Sequence, residues 1–203
     1  MPSKYAEIVE QNINILFSDD LPSRAAAMGA EIDGPALAFK AFGARCRLAA
    51  DGAWLNGERQ TGPVGIILSL YALHAISENC QIEPFKAFKE LPNSAPYAGA
   101  FSSHTEHPLT PLVDRILDKR HSLIDHFDGM PAPTHIGGDG ALIVRPLPKI
   151  MLCYIFYKAD EDFPASATCL LSNNASAFLP LDALADTGEY TSRAIIDFLA
   201  LKD

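Results

Sequence analysis

The stretch covering residues 137–201 constrains the fold more than any other part of the chain. It opens with a glycine-rich turn, and two apolar runs that are typical of strands follow at residues 141–145 and 150–158. An acidic turn leads into a third strand at residues 167–171, and residues 180–201 are predicted to be largely helical. We expect the two strands that flank the acidic turn to pair as an antiparallel hairpin. This order of elements indicates an αβ globular domain.

The first half of the chain adds further elements. Apolar residues at three- and four-residue steps predict an amphipathic helix over residues 3–17, and strands are predicted at 37–42, 45–49 and 53–55. Residues 63–76 begin with a proline and are apolar nearly all round, which indicates a helix buried on most faces. We therefore predict an α+β fold, with a mostly antiparallel sheet packed by helices, including one buried central helix.

The middle of the chain is predicted to be less regular. The sequence indicates a short helix at residues 84–91, a long irregular loop at 92–108 and a helix that starts at Thr110 and ends near Phe127. A second irregular stretch, rich in glycine and proline, covers residues 128–140. Because long irregular segments inside compact domains are often functional, both stretches are candidates for a site.

Size and charge restrict the class of protein. A chain of 203 residues fits one domain, so we predict a single globular domain over residues 1–203. The net charge of −9 argues against nucleic acid and anionic membranes as partners, because both carry negative charge. No run is long and apolar enough to span a bilayer, and the first residues do not form a signal peptide, so we expect a cytoplasmic protein.

The four cysteines, Cys46, Cys80, Cys153 and Cys169, do not suggest a metal cluster. None are close in sequence and no CxxC pair occurs, whereas zinc and iron–sulfur sites usually show such pairs. Cys153 and Cys169 each lie in an apolar strand run, so we predict that they are buried as small hydrophobic residues. A disulfide between adjacent strands is the alternative.

Arg120 is the most informative single residue of the predicted helix that starts at Thr110. On a helical wheel it falls near the centre of the apolar face. A guanidinium in that position pairs with a carboxylate or binds an anion, because an unpaired buried charge is very costly. Alternatively its aliphatic stem lies on the core while the charged end reaches solvent. The binding interpretation makes Arg120 a ligand for an anion or a carboxylate at the base of a pocket.

The glycine-rich turn is the second candidate for ligand binding. Its glycines allow backbone N–H groups to approach an anion, and Asp139 has the chemistry of a base or a ligand. It is not a P-loop, because it lacks the lysine of that motif and precedes a strand rather than a helix. The alternative is a strained turn that feeds the strand. The candidate ligand-binding residues of this turn are His135, Gly137, Gly138 and Asp139.

A third candidate lies in the predicted loop at residues 92–108. His104, Glu106 and His107 offer nitrogen and oxygen ligands within four residues, which is compatible with a metal site. An exposed loop without a metal is the alternative, because no other residue nearby completes a typical ligand spacing. The sequence identifies no cofactor.

Several short motifs give the chain a resemblance to a known family. They follow one another in a fixed order, and as an ordered set they are more specific than any one alone. The motifs are Tyr71-Ala72-Leu73-His74, Phe88-Lys89-Glu90-Leu91-Pro92, Gly137-Gly138-Asp139, Arg145-Pro146-Leu147-Pro148-Lys149, Asp160-Glu161-Asp162-Phe163-Pro164, Leu170-Leu171 and Leu179-Pro180-Leu181-Asp182. With them, roughly residues 5–200 resemble the prokaryotic domain-of-unknown-function family numbered 3786. Some members of that family carry cysteine-rich iron–sulfur segments, so the resemblance implies a link to anaerobic redox or corrinoid metabolism.

These observations favour an accessory domain that binds a small ligand or a protein partner. Its predicted pocket is formed by residues 92–108, residues 128–140 and Arg120. The first alternative is an enzyme in which His104, His107, His135 and Asp139 supply acid–base or metal chemistry. The second is a structural interaction protein without a pocket. The sequence leaves the oligomeric state open.

Overall fold

The computed structural model describes residues 3–201, and residues 1–2 and 202–203 of the predicted domain lie outside this range. The described chain forms two five-stranded antiparallel sheets with helices packed around them. One apolar core contains side chains of both sheets and of the helices. The prediction of an α+β fold with mostly antiparallel strands is therefore confirmed, and the strands are divided between two sheets.

The first sheet is a meander in which each strand pairs with the next one along the chain. Its hairpins are tight because residues with positive φ occupy the turns, as at Phe42 and Gly43 and again at Asn56 and Gly57. Two successive residues with positive φ match the right-handed twist of the flanking strands. The strands are β1 (Glu31–Asp33), β2 (Ala36–Ala41), β3 (Ala44–Ala49), β4 (Gly52–Leu55) and β5 (Glu58–Arg59).

The second sheet has the order β6-β10-β9-β8-β7, with β9 at its centre. In β9 every residue except the last is buried, because both faces of the sheet are covered. β9 pairs antiparallel with β10 across the acidic turn, which confirms the predicted hairpin. The strands are β6 (Lys86–Ala87), β7 (Met130–Pro131), β8 (Gly140–Leu147), β9 (Ile150–Tyr157) and β10 (Ser166–Leu171).

The predicted central helix is the third α-helix of the fold. Ile67, Leu68, Tyr71 and Ala72 are fully buried in it, and it packs against the first and the last helices. The helices are α1 (Lys4–Ser18), α2 (Leu21–Met28), α3 (Pro63–His74), α4 (Ala95–Phe101), α5 (Val113–Asp118), α6 (Arg120–His126) and α7 (Leu181–Ala200).

The prediction of an irregular loop at residues 92–108 is wrong. This segment contains α4, a π-helical turn at Ser102–Glu106 and the start of a 3₁₀ helix at His107–Leu112. Pro96 and Pro108 lie in the first turns of their helices, where a missing N–H removes no helical hydrogen bond. The prolines therefore begin helical turns here and do not interrupt regular structure.

Two neighbouring helix predictions also need correction. Residues 84–91 form β6 and a 3₁₀ turn at Phe88–Glu90 rather than an α-helix, because Lys86 and Ala87 pair with β10. The helix predicted to continue to Phe127 is divided into α5 and α6 at Lys119, whose φ of −95° and ψ of 12° depart from helical values.

The two faces of the second sheet are covered differently. One face, with Leu142, Tyr154 and Phe156, packs against helices as part of the main core. The opposite face, with Met151 and Cys153, forms a smaller cluster beneath residues 80–85 and 130–136.

The segment that contains Cys80 is fixed by two asparagines that follow β10. Asn174 accepts a hydrogen bond from the Gln81 N–H at 2.8 Å and donates to the Asn79 carbonyl at 3.0 Å. The Asn173 amide donates to the Pro84 carbonyl at 3.0 Å. These contacts hold residues 79–84 against the sheet although the segment has no regular secondary structure before β6.

Close packing between α1 and α3 predicts a large effect of adding one methyl group. A Cβ at Gly65 would lie 2.3 Å from the Gln60 carbonyl oxygen and 3.0 Å from Val9 Cγ2. We expect Gly65→Ala to lower the free energy of unfolding by about 1–3 kcal/mol, measured by urea denaturation. Gly99→Ala in α4 is the matched control, because a Cβ there meets nothing within 4 Å. Gly99→Ala should raise the free energy of unfolding by about 0.5–1 kcal/mol. Equal changes in the free energy of unfolding for the two variants would contradict the described packing.

Candidate functional site

One candidate site is an open cavity of about 830 Å³ where the two sheets meet. Four of its lining side chains are cationic: Lys40 and Arg45 from the first sheet, and Arg145 and Lys149 from the second. We call this cavity the cationic groove. Glu31 and Asp128 also line it, so the lining carries two more cations than carboxylates, in a chain whose net charge is −9.

A distortion at the end of β8 brings Arg145 and Lys149 to the groove. The pairing of β8 with β9 shifts register between Val144 and Leu147. Pro146 lies in this shift, and its carbonyl accepts a hydrogen bond from the Phe42 N–H of the first sheet at 2.8 Å. A bulge of this kind changes the direction of side chains and ends regular pairing. Here it joins the two sheets and directs the β8–β9 turn towards the groove.

The four cations differ in how their charge is compensated. Lys40 pairs with Asp128 at 2.8 Å, and Arg45 pairs with Asp33 at 3.0 Å. Both pairs are well exposed, so each contributes little to stability. Within residues 3–201, Arg145 and Lys149 have no carboxylate within ion-pair distance.

Arg145 and Lys149 instead donate to backbone carbonyls. Arg145 Nε lies 3.3 Å from the Asp128 carbonyl and its Nη1 lies 2.8 Å from that of Pro148. Lys149 Nζ lies 2.7 Å from the Ile76 carbonyl and 2.8 Å from that of Glu78. These carbonyls carry partial negative charge, and two of them follow the C-terminus of α3, but none balances a full positive charge.

Lys149 is the most buried of the four cations, with only 9% of its surface exposed. Loss of solvation on burial lowers the pKa of its ammonium from the ordinary value. A bound anion would oppose this effect, because it would stabilise the charged form of the ammonium.

The hydroxyl of Tyr71 fixes the floor of the groove. It donates to the Met28 carbonyl at 2.6 Å and accepts from the Lys149 N–H at 3.1 Å. Tyr71 is fully buried, and burial raises the pKa of its phenol well above the usual range. The phenol is therefore a neutral hydrogen-bonding group that joins the end of α2, the central helix and the β8–β9 turn.

Cys80 places a half-buried thiol in the same groove. Burial raises the pKa of this thiol, while a hydrogen bond with Ser172 and the charges of Arg145 and Lys149 act in the opposite direction. All four cysteines are free, and the other three are buried. Cys153 and Cys169 are buried as predicted, on opposite faces of the second sheet, so the alternative of a disulfide between them is wrong.

The structure places Arg120 beside Gly140, at the end of β8 that is remote from the groove. Its Nη1 lies 3.8 Å from the position that a Cβ on Gly140 would take. Arg120 is half-buried, and within residues 3–201 no hydrogen-bond or ion-pair partner accompanies it. Arg120 therefore lies next to Gly140, while its role as an anion ligand stays a prediction.

The glycine-rich turn has a clear structural task. Gly138 has a φ of +89°, and a Cβ there would lie 2.8 Å from the Phe156 carbonyl oxygen. The Asp139 N–H donates to that carbonyl at 2.9 Å, and its carboxylate accepts the Lys158 N–H at 2.7 Å. Asp139 thus caps the end of β9. Gly137 lies near the Tyr157 hydroxyl, and His135 Nε2 lies 3.2 Å from a Glu83 carboxylate oxygen.

The three predicted metal ligands contact different groups. His104 Nδ1 lies 3.0 Å from a Glu189 carboxylate oxygen on α7. Glu106 accepts the Cys169 N–H at 2.9 Å and the Ser102 hydroxyl at 2.6 Å, and His107 is exposed. Among residues 3–201 no group of three His, Cys, Asp or Glu side chains is placed to hold a metal ion. The metal site stays a prediction, and the geometry adds no further ligand to it.

The two segments predicted to form one pocket lie on opposite faces of the second sheet. Phe101, from the first segment, belongs to the main core, whereas Met130 and Ile136, from the second, cover the other face. The sheet separates them, so they do not share a pocket. For the same reason His104 and His107 lie apart from His135 and Asp139.

The groove residues were not selected as a site from the sequence. Arg145 and Lys149 appeared only as part of a family motif, and Lys40, Arg45 and Cys80 lie far from them along the chain. The available signal was two cations on either side of a Pro-Leu-Pro run between two apolar strands. This pattern indicates an interrupted strand with charged residues at the interruption.

The fold and the groove define an α+β domain with a cationic cavity between two antiparallel sheets. The chain belongs to the family described as Domain of unknown function (DUF3786), whose family model matches residues 20–194. This match confirms the resemblance inferred from the motifs and includes every cation of the groove. No curated protein and no solved structure shows significant similarity to the chain. In residues 3–201 no helix has both the length and the apolar character needed to cross a membrane.

Removal of the Tyr71 hydroxyl should destabilise the protein. Tyr71→Phe leaves the buried Met28 carbonyl and the Lys149 N–H without their partner, at a cost of about 1–3 kcal/mol for each group. Urea denaturation measures this loss, and Tyr5→Phe is the matched control because Tyr5 is 52% exposed. Equal stability of the two variants would show that the hydroxyl does not hold the groove together.

Cys80 should be the thiol that reacts with iodoacetamide in the native protein. Its reaction rate should still increase above pH 9.0, the ordinary value for a thiol, because its pKa is raised and the thiolate is the nucleophile. Peptide mapping by mass spectrometry identifies the modified residue, and Cys80→Ser should leave the native protein unmodified. Comparable native labelling of Cys46, Cys153 or Cys169 would contradict their burial.

Proposed function

We propose that this chain is an accessory domain that binds an anionic small ligand in the cationic groove. The observation that carries the proposal is the pair Arg145 and Lys149, two neighbouring cations that donate to backbone carbonyls and have no carboxylate partner in the described chain. The Lys149 ammonium also lies 5.7 Å from the centre of the Phe178 ring. Charge-assisted hydrogen bonds from such groups to a carboxylate or phosphate are roughly twice as strong as neutral ones. An anion would therefore find donors that are already fixed in position.

The dimensions and lining of the groove suit a small molecule. A volume of about 830 Å³ lies in the range of small-molecule sites, about 300–1,000 Å³. Phe39, Ala38 and Pro148 add apolar surface beside the cations. A ligand with one anionic group and a compact apolar part matches this combination, because the anion pairs with Arg145 and Lys149 while the apolar part contacts Phe39.

The charge distribution also supports a small anion over a long one. The protein as a whole carries −9, so an extended polyanion is repelled along most of its length. A small ligand that fits inside the groove mainly experiences the nearby cations, since charges beyond a Debye length of about 8 Å are screened at physiological ionic strength. Nucleic acid is therefore not part of the proposal.

The setting that we propose is the cytoplasm. Four free thiols are compatible with a reducing compartment. The link to anaerobic redox or corrinoid metabolism is implied by the family resemblance and stays a hypothesis about the pathway in which such a ligand occurs. The alternatives of an acid–base or metal-dependent enzyme and of a purely structural interaction protein stay open, and the groove favours ligand binding over both.

Thermal unfolding with sodium pyrophosphate or citrate tests the proposal directly. At constant ionic strength we expect either anion to raise the midpoint temperature relative to sodium chloride, because a ligand that binds only the folded state stabilises it. Arg145→Gln should abolish most of this increase. Lys119→Gln is the matched control, since it removes one exposed cation between α5 and α6 and should leave the increase unchanged.

Two results would overturn the proposal. The first is a midpoint that neither anion changes in the unmodified protein. The second is an increase that Arg145→Gln and Lys119→Gln reduce equally, because that pattern indicates non-specific interaction with surface charge. Protection of Cys80 from iodoacetamide by pyrophosphate provides an independent readout at the groove itself.

A further inference from the structure

The acidic turn between β9 and β10 presents an exposed aromatic ring on a rigid support. We call Asp160, Glu161, Asp162 and Phe163 the acidic knob. Phe163 is 70% exposed, more than the other exposed aromatic residues of the described chain, which are Tyr5, Tyr97 and Tyr157. Burial of this ring against a partner would be favourable, because it would remove apolar surface from water.

The knob is ordered by hydrogen bonds within the turn. The Asp160 carboxylate accepts the Asp162 N–H at 2.9 Å and the Phe163 N–H at 2.7 Å. The Asp160 N–H donates to the Phe163 carbonyl at 3.0 Å. Because the turn is already fixed, docking of the ring loses less conformational entropy than docking of a flexible loop.

The charge of the knob is complementary to that of the groove. Within residues 3–201 none of Asp160, Glu161 and Asp162 has a cationic partner within ion-pair distance. The groove presents Arg145 and Lys149 without carboxylate partners, and apolar surface lies beside them. One surface therefore offers carboxylates with an aromatic ring, and the other offers cations with an apolar contact.

The two surfaces of one molecule cannot meet. The groove lies at Lys149, immediately before β9, and the knob begins after Tyr157, where β9 ends. A strand of 8 residues spans about 26 Å at about 3.3 Å per residue. The contact is therefore possible only between different molecules.

We propose that the acidic knob of one chain docks in the cationic groove of a second copy of the same chain. The proposal rests on the proposed function, since it requires that the groove accepts carboxylates. A two-fold axis between the two chains makes the contact reciprocal, with each knob in the groove of the other chain. Such a reciprocal contact closes into a dimer, whereas a single contact propagates into a chain.

Sedimentation velocity on the full chain over a wide range of protein concentration tests this inference. We expect a dimer that dissociates on dilution, at higher salt and on addition of pyrophosphate, because each weakens or competes with the charge contact. Phe163→Ala and Arg145→Gln should each raise the dimer dissociation constant at least about tenfold. Tyr97→Ala is the matched control, since it removes another exposed aromatic ring from a different surface.

A mixing experiment distinguishes this interface from any other. Each homodimer of Phe163→Ala or of Arg145→Gln has both contacts damaged, whereas a mixed dimer retains one intact knob in one intact groove. Because the ring and the cations act in the same contact, loss of one partner leaves little for loss of the other to remove, so the mixture should associate more tightly than either variant alone. Thermal unfolding of each variant without anion shows that it is folded, which is expected for an exposed turn residue such as Phe163.

The outcomes separate the two proposals. A protein that is monomeric at every concentration, yet is stabilised by pyrophosphate, overturns the dimer and leaves anion binding in place. A dimer that Phe163→Ala and Arg145→Gln do not weaken overturns the knob-and-groove contact. A dimer weakened by both substitutions, in a protein whose midpoint temperature pyrophosphate does not raise, supports the contact and overturns the small-anion proposal.

Discussion

The hydroxyl of Tyr71 is the interaction on which the candidate site depends. A single buried oxygen joins Met28 at the end of α2 with Lys149 in the β8–β9 turn, through hydrogen bonds of 2.6 and 3.1 Å. Tyr71 itself belongs to the central helix, which the core encloses on most sides. The two walls of the groove are therefore positioned by a helix that is buried in the core. Buried polar groups with both partners satisfied favour one arrangement strongly, because any other leaves a donor or acceptor unpaired.

The groove also brings positive charges close together, an arrangement that does not increase the stability of the fold. Arg145 and Lys149 lie in this cavity without a carboxylate partner, and repulsion between their two charges opposes the arrangement. The carbonyls of Ile76 and Glu78 compensate Lys149 in part, since they lie just beyond the C-terminal end of α3. Departures from the most stable arrangement tend to occur at functional sites. A bound anion would remove the remaining repulsion, whether it is a free small molecule or the carboxylates of a second chain.

Local patterns predicted the fold well where each element is set by its own residues. The apolar residues of α3 and the apolar runs of β8, β9 and β10 were recognisable, because short apolar runs bounded by turns are typical of buried strands. Residues 92–108 were misread because proline at the start of a helical turn looks like an interruption. The sequence also showed that Arg120 and the glycine-rich turn were unusual, and the structure places them side by side. The groove was not predictable in this way, because Lys40, Cys80 and Arg145 meet only where the two sheets pack together, and a single sequence contains no local signal for that packing.

Nuclear magnetic resonance of the arginine and lysine side chains during a pyrophosphate titration tests the central claim most directly. With ¹⁵N in the arginine and lysine side chains, we expect the Arg145 Nε and Lys149 Nζ signals to shift together and to saturate. The exposed Lys119 should not shift, because it lies outside the groove. Saturable shifts confined to the groove would establish an anion site at Arg145 and Lys149. Unchanged Arg145 and Lys149 signals, or weak shifts spread over the exposed lysines without saturation, would contradict it.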